Sequence, residues 1–138
     1  MSKGLLYIHN PVIGAVASGG VIPMGAVGSI VRRRGCDVNL IGNGIRISES
    51  GYYSAVITVS VVAAAATATT ATLYQDGVPV PGAVSAAVTP AAVGDTVTLI
   101  IPVAAVRVLN NQPYSTLTVV LNGAAATGGA ITAMVIRE

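Results

Sequence analysis

A chain that performs chemistry must gather titratable or metal-ligating side chains at one place, and these 138 residues offer few of them. The one histidine is His9 and the one cysteine is Cys36. The acids are Asp37, Glu49, Asp76, Asp95 and Glu138. Asp76-Gly77 and Gly94-Asp95 are turn dipeptides, which accounts for two of the acids without catalysis. No two acids lie close enough in sequence to suggest an acid/base dyad. The spacings of a zinc site, a Walker loop, a dinucleotide-binding glycine motif and a nucleophile elbow are absent. The sequence therefore predicts no enzyme, no cofactor and no metal site, with His9 packed or solvated. A single cysteine cannot staple the fold internally. Cys36 is expected as a free, buried thiol, with a bridge between subunits as the alternative.

What the side chains do offer is contact. Arg32-Arg33-Arg34 is the one charge cluster, and two readings fit it. It is either a solvated corner that keeps an apolar chain soluble, or a contact that pairs with carboxylates of a partner or a neighbouring subunit. Tyr7 and His9, in the N-terminal segment, join the three arginines as candidate partner-binding residues. The formal charge of +2 is too small to imply nucleic acid, and three arginines without a basic stripe do not change that.

These residues must be positioned by an unusually apolar chain. Hydrophobic residues make up 53% and charged residues 9%, against about 25% charged in an average soluble domain. Phe and Trp are absent, so the apolar content is mainly Val, Ile, Leu and Ala. So much aliphatic side chain cannot be hidden in a monomer of this size. An oligomer, in which part of each subunit's surface becomes core, resolves the excess.

A spanning helix is the competing explanation, because residues 51–75 carry no charge. That stretch is largely Ala, Thr, Ser and Val, only weakly apolar, and it alternates. Tyr53, Ala55, Ile57 and Val59 fall on one side, with Tyr52, Ser54, Thr58 and Ser60 on the other. Period two is a strand signal, and no membrane partner is expected. Lys3 and Ala15–Ser18 imitate the ends of a secretory signal, but His9, Asn10 and Pro11 interrupt its apolar region.

The first 28 residues, rich in Gly and broken by Pro11 and Pro23, read as an irregular arm with one short strand. The body follows from residue 29. Ser29–Gly35 is a strand running into a basic corner. Val38–Ile41 and Ile45–Ile47 form a hairpin around Gly42-Asn43-Gly44. A long strand begins near Tyr52. The Ala/Thr run at 63–72 is a strand or an extended connection, and Leu73–Gln75 enters the Asp76-Gly77 turn. Pro79 and Pro81 demote the next segment to an edge. Val84–Val88 is expected as a short strand. The segment 96–108 gives one or two strands broken or edged by Pro102, and 110–113 a loop. Thr116–Leu121, the Asn122-Gly123 turn and Ile131–Ile136 complete the set. About eight to ten antiparallel strands at this spacing predict an all-β, single-domain sandwich or jelly roll.

Two stretches are more specific. "ISESGYYSAVITV", followed by "LYQDGVPVPG", resembles the C-terminal globular domain of collagen-like bacterial spore-surface (exosporium) glycoproteins. That family belongs to the tumour-necrosis-factor (TNF) and complement-head jelly rolls. Gly51-Tyr52-Tyr53 matches its aromatic strand opening, and Gly77–Gly82 its post-turn segment. The resemblance implies a ten-strand TNF-like jelly roll that forms a threefold homotrimer through an aliphatic interface. The chain differs from the family in having no Gly-X-Y stalk, and from complement-type heads in having no Phe.

A short-armed trimer without a stalk also looks like a bacteriophage virion component. The expectation is a non-enzymatic structural protein: a capsid decoration or head-fibre protein on the virion surface, attached to the major capsid protein or another virion component through the arm at 1–28. The alternatives are a spore-surface or cell-surface adhesion module, and a receptor- or glycan-binding fibre knob with exposed tyrosines such as Tyr114 as contacts.

Overall fold

The computed structural model describes residues 4–25, 29–109 and 114–138. Ten strands and no helix occur among them. They are β1 Leu5–Asn10, β2 Ile30–Arg34, β3 Val38–Ile41, β4 Gly44–Ile47, β5 Gly51–Ala63, β6 Thr70–Gln75, β7 Val78–Val84, β8 Thr96–Val108, β9 Ser115–Asn122 and β10 Ala126–Arg137. Two antiparallel five-stranded sheets face each other. Sheet A has the order β2-β1-β10-β5-β8 and sheet B the order β3-β4-β9-β6-β7. The expected loop at 110–113 lies outside the described residues.

Strict alternation builds the core. Along β5, Tyr53, Ala55, Ile57 and Val59 are fully buried; they meet Leu73, Leu117 and Val119 of sheet B inside one aliphatic cluster. Long β-branched strands suit this arrangement because each branched side chain packs flat against its neighbours on the pleat. Burying such a side chain is worth about 1.5–3 kcal/mol.

The turns follow their residue chemistry. Gln75 pairs with Val78 across Asp76-Gly77, whose φ values are +52° and +81°, the signs a primed two-residue turn needs. The Asp76 carboxylate fixes this turn to β9 by accepting from the Thr116 amide and the Ser115 hydroxyl, both at 2.9 Å. β7 is an edge strand. Pro79 is one residue past the Gln75–Val78 pair, where a backbone N–H would face away from the sheet, so its missing donor costs no ladder bond. The other edge proline, Pro102, sits at an irregularity: the β5–β8 register slips between Ala55 and Ile57, and Pro102 and Val103 are both exposed. That is a β-bulge, so β8 bends at Pro102 and continues as a single strand.

Two expectations change. Val84–Val88 is not a strand of its own: β7 ends at Val84, and Val88 makes only an isolated bridge to Thr69. The larger correction concerns the N-terminal arm. β1 is an inner strand, paired with β10 on one side and β2 on the other, with Leu6, Ile8 and Asn10 fully buried.

Beyond β1 the chain works as a strap. Val16 exchanges backbone bonds with Ala126 at the start of β10, and Gly19–Ile22 then pairs with β9 through Leu121 and Val119. The strap thus crosses from sheet A to sheet B and closes one side of the sandwich, burying Ile13, Val16, Ile22 and Met24 in the core. Asn10 pins it, donating to the Pro23 carbonyl and accepting from the Val12 amide. Residues 4–25 are integral to the jelly roll, because their apolar side chains are part of its core. The Gly and Pro content that suggested an arm serves the crossing: Gly14 and Gly19 adopt φ of +72° and +81°.

Candidate functional site: the outer face of sheet A

Because every second side chain of β1, β5, β8 and β10 enters the core, the others form an outer face, which the exposed strand β2 extends at one edge. Its central row runs across all five strands as Ile30, His9, Thr132, Thr58 and Ile100, each opposite the next. The neighbouring row holds Arg32, Tyr7, Met134 and Val56. Apart from Arg32 and Arg34 at the β2 edge, Arg107 near one end of β8 and the Glu138 carboxylate that accepts from the Ser54 hydroxyl at 2.6 Å, no charge among the described residues interrupts this face. Large side chains stand exposed on it or at its rim, including Ile100 at 62% and Val103 at 70%. The accessible surface of the chain, 6618 Å², matches the roughly 6,600 Å² of a compact chain of its mass. Its surface is therefore ordinary in extent and unusual in chemistry.

The five candidate contact residues separate here. Tyr7, His9, Arg32 and Arg34 share the outer face: Tyr7 is opposite Arg32, and Leu5 opposite Arg34. His9 hydrogen-bonds through Nδ1 to Thr132 Oγ1 at 2.9 Å. Arg33 points the other way and donates to Asn39 Oδ1 on β3. Thr58, Ile100, Met134 and Val56, which form the centre of the face, were not singled out as contacts by the sequence. The alternation of β5 was legible, but which sheet it belonged to and which strands flanked it were not.

Charge is segregated along the strand axis. At the end holding the 35–37 and 48–50 connections, Arg137 on β10 bonds Asp37 at 3.4 Å, Glu49 at 2.5 Å and the Ser50 carbonyl at 3.1 Å. The Glu49 hydrogen bond raises the Arg137 pKa further above its ordinary value. Tyr53 lies beneath, donating to the Glu49 carbonyl at 2.8 Å. Burial pushes its phenol above the usual range, the Arg137 charge opposing this in part. The cluster ties the ends of four strands together. The opposite end, formed by the strap and the 64–69, 85–95 and 123–125 connections, carries only Asp95 among the described charged residues, and Asp95 accepts from the Ala92 amide within its own turn. Cys36 is exposed, not buried as expected, because it occupies the turn after β2 rather than a strand interior.

The architecture is that of a TNF-like jelly roll, and solved structures share it. Murine APRIL superimposes with a TM-score of 0.62 at 12% identity, covering 99% of this chain and 100% of that one. Eiger TNF from S. frugiperda gives 0.63 at 8% identity, with 99% and 94% covered. The PRD1 vertex protein P5 gives 0.56 at 14% identity, with 97% and 96% covered. At such identities the likeness is one of fold. No family model matches the sequence, and no curated protein matches it.

Proposed function

We propose that the chain is a non-enzymatic assembly protein that forms a homotrimer through the outer face of sheet A and decorates a phage virion as a capsid-decorating or head-fibre component. The observation that carries this reading is the row Ile30–His9–Thr132–Thr58–Ile100, which holds no Asp, Glu, Lys or Arg and spans the sheet, exposed at Ile30 and Ile100 and half-buried between them. A rotationally closed ring that lays each sheet A against the edge of the next subunit buries three such faces without leaving an open end. Arg32 and Arg34, at the β2 edge, then meet the neighbouring subunit, while Arg33 stays outside.

The virion reading draws support from the fold shared with a vertex protein. Attachment falls to the end where Asp95 is the one described charge. The strap supplies part of that end, with Val12 exposed there, so the N-terminal segment contacts the capsid as a fixed surface and not as a free arm. Mass spectrometry and cryo-EM of native particles test this: peptides of the chain at stoichiometric copy number and threefold knobs on the shell are expected. Their absence from particles, with the chain in a spore-coat or cell-surface fraction, would replace the virion reading with that of an adhesion module.

A further inference from the structure

On the opposite, outward face of sheet B, Arg46 stands between Asn39 and Thr116, its cross-strand partners on β3 and β9. Its guanidinium lies 4.4 Å from the centre of the Tyr114 ring, and its Nε is buried with no acceptor among the described residues. Among the described residues, no carboxylate forms a salt bridge with it. Asp37 and Glu49 are held by Arg137. Asp76, one strand further across, gives its oxygens to the Ser115 hydroxyl and the Thr116 amide. A second cation approaches from the other side, since Arg33 bonds the Asn39 side chain. Gly44 keeps the surface low beside Arg46, because a Cβ there would come within 2.6 Å of the Leu117 carbonyl oxygen. A half-exposed tyrosine ring with a cation held against it, beside Thr116 and Thr118 on the same face of β9, makes a recognition set.

We infer that Arg46 and Tyr114 form a binding site for an acidic saccharide, with the sugar carboxylate on the free edge of the Arg46 guanidinium and a pyranose face on the Tyr114 ring. The set fits a sugar acid better than either part alone. Arginine recognises a planar carboxylate through paired N–H groups, and an exposed aromatic ring offers an apolar face to ring C–H groups. The site lies on the face that the trimer leaves open, so it does not depend on the assembly reading.

The test is titration of the full-length chain, observed by amide NMR, with glucuronic acid, glucose and acetate as probes. Glucuronic acid is expected to shift the amides of Asn39, Arg46, Thr116 and Thr118, and to bind at least about tenfold more tightly than either glucose or acetate, as loss of one charge-assisted contact implies. Arg46→Gln should reduce glucuronic acid to the level of glucose, and Tyr114→Ala to the level of acetate. Both residues are outward-facing, and thermal melting checks that each variant remains folded; should Arg46→Gln not fold, Tyr114→Ala and the probe comparison decide alone. Equal binding of glucose and glucuronic acid, acetate or a glutamate-rich peptide binding as tightly as the sugar acid, or variants that bind unchanged would each overturn the inference.

Discussion

Replacing Asn10 by alanine tests whether the N-terminal segment is a structural strap. Asn10 is fully buried, donates to the Pro23 carbonyl at 2.9 Å and accepts from the Val12 amide at 3.2 Å. Asn10→Ala removes both bonds and leaves a carbonyl and an amide without partners. A buried polar group left unsatisfied costs about 1–3 kcal/mol, and water reaching the Val12 side recovers some of that, so the expected loss is about 2–4 kcal/mol. With an unfolding entropy of about 2.1 cal/mol/K per residue, a chain of 138 residues loses Tm by about 7–14 °C. Thermal unfolding must be followed at fixed protein concentration, since association makes Tm concentration-dependent. Amide exchange supplies the local readout: the Val16, Gly19 and Ile22 amides, bonded to Ala126, Leu121 and Val119, should exchange faster than those of central β5. A Tm within 2 °C of the parent, with those three amides equally protected, would refute the strap.

Three further perturbations bear on fold and assembly. Gly129→Ala should be among the most damaging single changes, because Gly129 has φ +148° and a Cβ would lie 2.0 Å from the Ser60 carbonyl oxygen; a denaturant midpoint that does not move would contradict the β10–β5 register. Tyr53 is buried with a raised pKa, so the unfolded chain releases this proton first. Stability is therefore complete below about pH 10 and falls as pH rises from there towards the folded-state value. Tyr53→Phe should cost about 1 kcal/mol at neutral pH for its lost hydrogen bond and flatten the alkaline decline, which denaturant titrations between pH 8 and 11 would detect. Thr58→Glu places a carboxylate at the centre of the sheet A face, where burial without a partner costs several kcal/mol. The variant should keep its β-sheet circular dichroism and elute as a smaller species; unchanged elution would clear that face of a role in assembly.

Local signals in the sequence translated directly. Asp76-Gly77 became a primed turn, Gly42 the φ +56° corner of the β3–β4 hairpin, and Tyr53–Val59 a core-facing row. Each is decided by neighbours within a few residues. Non-local pairing was the part that stayed hidden. Leu5–Asn10 has the same short apolar pattern whether it frays at an edge or lies between β2 and β10, and only its partners at the far end of the chain decide which. The strap was read as an arm because Gly and Pro signal irregular backbone but say nothing about burial. Arg46 escaped notice for the same reason: as one arginine in a hairpin it carries no pattern, and its meeting with Tyr114 depends on β4 lying beside β9.

In the proposed trimer, two further copies of the chain close the outer face of sheet A. Multi-angle light scattering on the purified full-length chain, followed by serial dilution, addresses it directly. The expected species has three times the 13.7 kDa chain mass and persists as the protein is diluted. A mass of one chain, or of two, at every concentration would contradict it.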